Sequence, residues 1–116
     1  MKEETLTERG IQLAKKGKMD EARKVFQLVI DETPDDAAAW CNYATTYFHE
    51  EKHAKALPYF KKAIDLDPAF HGPYLSAGSC LTTMGLDMDA IRLYDQALKI
   101  IPDDYEIWYN PNYAIN

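Results

Sequence analysis

Residues 56–68 read Ala56-Leu57-Pro58-Tyr59-Phe60-Lys61-Lys62-Ala63-Ile64-Asp65-Leu66-Asp67-Pro68, and the stretch recurs along the chain. Thirty-four residues earlier stand Ala22, Phe26, Val29 and Pro34; thirty-four residues later stand Ala90, Tyr94, Ala97 and Pro102. Small, aromatic, small, proline thus returns at one fixed spacing with no insertion. A constant period of this size means stacked supersecondary units, none of which buries its apolar face alone.

Working outward from that stretch, the units begin at Glu3, Ala37 and His71, giving segments 3–36, 37–70 and 71–104, with 105–116 left over as a truncated fourth unit or capping segment. Each unit reads as a helix of about fourteen residues, a short turn, a second such helix and a proline-bearing link. In the first unit a helix is expected over 3–16, with Leu6, Gly10, Leu13 and Ala14 at three- and four-residue steps on one face. Glycine inside a helix costs roughly 1 kcal/mol against alanine, so Gly10 marks a place where another backbone must come close. Gly17 and Lys18 make the turn, and a second helix is expected over 19–32. Thr33-Pro34 ends it, because the residue before a proline avoids helical angles. Asp35 and Asp36 then offer an N-cap to the next helix.

The second unit repeats this over 37–50 and 53–66, with Ala44 in the place of Gly10. Pro58 falls inside its second helix, which predicts a bend or a late start there. In the third unit Pro73 suits the first helical turn, Gly85 makes the turn and Asp87 caps the last helix. Tyr105-Glu106-Ile107-Trp108-Tyr109 opens a fourth unit that Pro111 interrupts.

The bulk numbers agree with a folded chain. Of the 116 residues 47% are apolar, enough to exclude a wholly disordered chain, and the length suits one domain. A net charge of -6 repels phosphate backbones, so neither nucleic acid nor an anionic membrane surface is an expected partner. Cys41 and Cys80 lack the spacing of a disulfide framework or a zinc site and read as reduced packing residues. There is no apolar run of membrane length and no secretory leader in residues 1–8, so, taken as complete, the chain is expected in the cytoplasm.

These residues resemble the tetratricopeptide repeat family. Its loose 34-residue pattern places a large residue at position 4 (Leu6, Trp40, Tyr74, Trp108) and a small one at position 8 (Gly10, Ala44, Gly78). It places a large residue at position 11 (Leu13, Tyr47, Leu81), then Ala22, Ala56 and Ala90 at position 20 and the Phe26, Phe60, Tyr94 series at position 24. The likeness covers about residues 3–108. It departs at Leu6, where an aromatic is usual, at Val29, where a small residue is usual, at Pro58 and in the cut-short fourth unit. The resemblance implies an all-α, right-handed superhelix (an α-solenoid) of three antiparallel helix pairs plus a short C-terminal helix. It implies a non-enzymatic scaffold that binds a peptide segment of another protein in a concave groove lined by the first helix of each pair.

By the same resemblance the groove residues are Ile11 and Lys15 from the first unit, Cys41, Asn42, Thr45, Phe48 and His49 from the second, and Leu75, Ser76 and Ser79 from the third. Such a groove, nearly uncharged over its second and third units, favours an extended apolar peptide held by amide and hydroxyl groups. One subclass of the family clamps the C-terminal carboxylate of heat-shock chaperones with Lys and Asn, Asn, then Lys and Arg. The matching positions here are Thr7, Ile11, Asn42, Gly72 and Ser76; only Asn42 fits, and without cations a terminal carboxylate has no charge-assisted partner. Two alternatives stand beside the scaffold reading. One is self-association through the C-terminal end, where Trp108, Tyr109 and Tyr113 lack a covering helix. The other is a small bacterial secretion chaperone, a class that such short acidic repeat proteins also resemble.

Other signals carry less. His49-Glu50-Glu51-Lys52-His53 has the letters of a zinc protease motif, but that chemistry needs both imidazoles on one continuous helix and a third ligand, and the repeat puts a turn between them. Asp31-Glu32, Asp35-Asp36 and Asp103-Asp104 lack the twelve-residue loop of a calcium site and read as capping residues. No metal, cofactor or catalytic centre is expected.

Overall fold

The computed structural model describes residues 3–100, and among them there are six helices and no strand. Helices α1 (Leu6–Lys15) and α2 (Met19–Glu32) pair, as do α3 (Ala37–His49) with α4 (His53–Leu66) and α5 (Gly72–Thr83) with α6 (Asp87–Ile100). Each pair packs on the next through α2 with α3 and α4 with α5, while the first helices touch one another along the row α1, α3, α5. The result is an all-α solenoid. The expected link 101–104, the fourth unit and its short helix lie outside the described residues.

Local chemistry sets the ends of the helices. The first helix starts at Leu6 rather than at Glu3, because Thr5 and Glu8 form a capping box: the Glu8 amide donates to Thr5 Oγ1 at 3.0 Å, and the Thr5 amide donates to Glu8 Oε1 at 2.9 Å. That signature, Thr5-Leu6-Thr7-Glu8, was present in the sequence. Asp36, not Asp35, caps α3 by accepting from the Ala39 amide at 3.2 Å. Asp87 is not a cap but the first residue of α6, where its charge still favours the positive end of the helix.

One C-terminal stop serves all three pairs. The amides of Lys18, Lys52 and Leu86 donate to the carbonyls of Leu13, Tyr47 and Leu81, each six residues spanned by a left-handed residue: Gly17 at φ 82, Glu51 at φ 60 and Gly85 at φ 81. Two of those sites are glycine, which takes this angle without strain; the middle one is glutamate, which does not. Glu51→Gly is therefore expected to raise the unfolding free energy by about 1 kcal/mol. Urea denaturation checks it, and a loss of stability would contradict it.

Pro58 does not delay its helix. α4 runs unbroken from His53 with Pro58 as its sixth residue on the exposed side, so the carbonyl that loses its donor is near the helix start and close to water.

The core follows the repeat. Ala22, Ala44, Ala56, Phe60, Ala63, Ala77, Cys80 and Ala97 are inaccessible to solvent, with Phe26 nearly so. Gly10 and Gly78 are small for a reason that differs from the expected backbone approach. A Cβ at Gly10 would lie 2.5 Å from the Phe26 ring, and one at Gly78 would lie 2.6 Å from the Tyr94 ring. The aromatic of each second helix thus lies across the small residue of the first. Aromatics at position 4 also tie the units together at their links: Trp40 Nε1 donates to the Pro34 carbonyl and the Tyr74 hydroxyl donates to the Pro68 carbonyl, each at 2.8 Å.

Candidate functional site

The row of first helices leaves a depression of about 280 Å³ between α1 and α3, lined by Ile11, Ala14, Lys15, Phe26, Asn42, Thr45, Thr46 and His49. Ile11, Ala14 and Lys15 are supplied by one turn of α1, and Asn42, Thr45, Thr46 and His49 by two turns of α3, at the three- and four-residue steps that share a helix face. Phe26 joins them from α2, because its ring lies against the bare Cα of Gly10 and so reaches the line of α1.

Five of the groove residues expected from the sequence therefore meet in one place: Ile11, Lys15, Asn42, Thr45 and His49. The others do not join them. Cys41 and Phe48 are half-buried against the central cluster of Ala44, Ala56, Phe60, Ala77 and Cys80. Phe48 meets the Phe60 ring edge-on at 6.2 Å and the His53 ring at 5.4 Å, so its side chain is packed against α4 within its own pair. Burial pushes the Cys41 thiol up to about 11, as expected for a packing cysteine rather than a reactive one. Leu75, Ser76 and Ser79 sit half-buried on α5, away from the depression. Trp108, Tyr109 and Tyr113 lie outside the described residues.

The hydroxyls in the depression are not equivalent. Thr46 Oγ1 donates to the Tyr43 carbonyl at 2.7 Å and accepts from Arg23 Nη1 at 3.2 Å, and the residue is almost fully buried. Thr45 Oγ1 donates to the Cys41 carbonyl at 2.7 Å and keeps its accepting lone pairs. The Asn42 amide takes part in none of the hydrogen bonds among the described residues.

Behind the depression lies a residue that the sequence reading passed over. Arg23 of α2 reaches across to α3 with its side chain only 11% exposed, and its guanidinium donates to Glu50 Oε1 at 2.8 Å and to Asp20 Oδ1 at 2.6 Å. Its planar group lies 4.4 Å above the Tyr47 ring. The hydrogen bond from Arg23 holds the Glu50 carboxyl below the usual carboxylate range. The available signal was the register: Leu57, at the same position in the second unit, is apolar and packs against the central cluster, which marks position 23 as one that faces a neighbouring helix. Beyond Tyr47, the rings of Trp40, Tyr43 and Tyr59 continue an aromatic face, with Tyr43 and Tyr59 edge-on at 4.9 Å.

His49 and His53 end on different helices, α3 and α4, with the Glu50–Lys52 turn between them. Among the described residues no three His, Cys, Asp or Glu side chains gather as a metal would require. None of the described helices is long and apolar enough to cross a membrane.

The pattern that defines the family described as tetratricopeptide repeat matches residues 7–69. This chain belongs to the tetratricopeptide repeat family. It is 28% identical over 99 residues to the Protein CTR9 homolog of Arabidopsis thaliana and 30% identical over 101 residues to RNA polymerase II-associated protein 3 of Mus musculus. These alignments take in 84% and 87% of this chain but only 9% and 15% of those two proteins, so the likeness is to one domain of much longer chains. Among solved structures, the first such domain of Spaghetti (RPAP3) bound to the HSP90 peptide SRMEEVD superposes with a TM-score of 0.81 at 27% identity, over 87% of this chain and 80% of that one. YrrB, a repeat protein with an unusual peptide-binding site, superposes at 0.76 with 21% identity, over 86% of this chain and 52% of that one, a likeness of fold.

Proposed function

We propose that this chain is a non-enzymatic tetratricopeptide module that holds a segment of a partner protein against the row α1, α3, α5. The observation that carries the reading is the depression between α1 and α3, apolar at Ile11, Ala14 and Phe26 and with an uncommitted amide at Asn42. Concave sites with an apolar floor and a few placed polar groups are the usual form of a peptide site. The peptide-bound Spaghetti domain, alike in fold over most of this chain, supports the same use. A cytoplasmic location belongs to the same proposal.

Titration with pools of acetylated, amidated peptides, followed by backbone amide NMR, tests it. Shifts gathered at Ile11, Asn42 and Thr45 support the reading; shifts confined to α2, α4 and α6 contradict it.

The terminal-carboxylate mode is not part of the proposal. Of the five positions such a clamp would use, Thr7, Ile11, Gly72 and Ser76 carry no charge and only Asn42 has the expected side chain. Charge-assisted hydrogen bonds are worth about 1.5–3 kcal/mol each, so their absence removes the advantage of a free terminus. The SRMEEVD peptide is expected to bind within about twofold equally as free acid and as amide. Calorimetry on the two forms checks this, and a free acid tenfold tighter would restore the clamp.

A further inference from the structure

The depression selects chemistry as well as shape, and we infer that it takes an internal peptide segment in which an aliphatic side chain stands beside an aspartate or glutamate. This inference rests on the peptide-binding reading above and names its ligand. The floor is Ile11, Ala14 and Phe26, which offers an aliphatic group contact without any polar partner to satisfy. At the rim the free hydrogen-bonding groups are unequal. Thr46 is buried and bonded both as donor and as acceptor, and Thr45 is left only to accept. Asn42 both donates and accepts, which suits the N–H and C=O of one peptide unit.

Charge then decides the neighbour. In a chain of net charge -6, no carboxylate lines this depression. α3 itself carries no acid, and Glu50, just past its end, is paired with Arg23 and Lys52. Lys15 is exposed at the edge, among the described residues it has no ion-pair partner, and His49 stands across from it on α3. Lys15 is thus the formally charged residue of this lining, a cation in a chain of net charge -6. A carboxylate beside the apolar anchor meets Lys15, while a lysine or arginine there meets only like charge.

The test uses acetylated, amidated hexapeptide pools with a fixed central pair, Leu-Glu, Leu-Lys or Ala-Glu, measured by fluorescence anisotropy on the intact chain and on Lys15→Glu. Lys15 is exposed, so the variant keeps the fold, which circular dichroism verifies. The Leu-Glu pool is expected to bind about fivefold more tightly than Leu-Lys and about tenfold more tightly than Ala-Glu. In Lys15→Glu the order of Leu-Glu and Leu-Lys is expected to invert. Binding to the groove without that preference, or a preference that survives Lys15→Glu, overturns the inference and leaves the peptide-binding reading standing. No groove binding by any pool overturns both. A dimer by light scattering that Lys15→Glu dissolves also overturns the inference, because a second copy would then be the occupant.

Discussion

Phe60→Ala is expected to lower the unfolding free energy by about 4 kcal/mol, the usual cost of emptying a fully buried phenylalanine site. The side chain is inaccessible to solvent and touches elements of two repeats: Ala44 and Phe48 on α3, and the cluster containing Ala77 and Cys80 on α5. A solenoid is held together by contacts between neighbours, so a cavity at the middle pair weakens both the pair and its docking to the next. For a domain of this size the loss corresponds to a fall of roughly 15–30 °C in Tm. Total stabilities run at about 5–15 kcal/mol, so the variant is expected to approach the unfolding threshold at 37 °C. Leu28→Ala, half exposed on α2, is the control and is expected to cost under about 1 kcal/mol. Urea denaturation followed by circular dichroism measures both, and a Phe60→Ala loss no larger than the control would place Phe60 outside the core.

The second large effect is at Arg23. Arg23→Ala removes the hydrogen bonds to Thr46, Glu50 and Asp20, the contact over Tyr47 and the buried stem of the side chain, for an expected loss of about 2–3 kcal/mol. Arg23→Met keeps the stem and removes the charge. Since an apolar residue of similar volume often replaces a buried cation at little cost, Met is expected to recover half of the loss or more. If Met is as damaging as Ala, the charged contacts rather than the packing hold α2 to α3. The pH dependence has a fixed sign. The folded-state pKa of Glu50 is depressed by its hydrogen bond from Arg23, so its stabilisation is present above the ordinary carboxylate value near 4.3 and is lost as pH falls through the folded value. The advantage of the native chain over Arg23→Met is therefore expected to shrink as denaturation is repeated from pH 7 down through pH 4. An advantage that grows in acid would contradict the pairing.

Both residues show what can be read in a sequence and what cannot. The fold was legible because it is a local code repeated: a small residue beneath an aromatic, a left-handed turn and a proline link, each set by steric rules acting over a few residues. Gly10 under Phe26 and Gly78 under Tyr94 obey that code, as do the two helices that begin at Met19 and His53. The capping box of Thr5 with Glu8 is equally local, set within four consecutive residues.

The candidate site was legible in part. A helix face is fixed by spacing, which is why Ile11, Lys15, Asn42, Thr45 and His49 come together. Spacing is silent on how deeply a neighbouring pair sinks into that face. The docking of α4 and α5 draws Phe48 and Cys41 into the core, and the reach of Arg23 from α2 spends the hydroxyl of Thr46 but leaves that of Thr45 free to accept. Sequence alone thus determined the helices, their order and the sides they present. Only the tertiary structure decided which groups on those sides remain unpaired, because pairing depends on distances across helices that no period along the chain encodes.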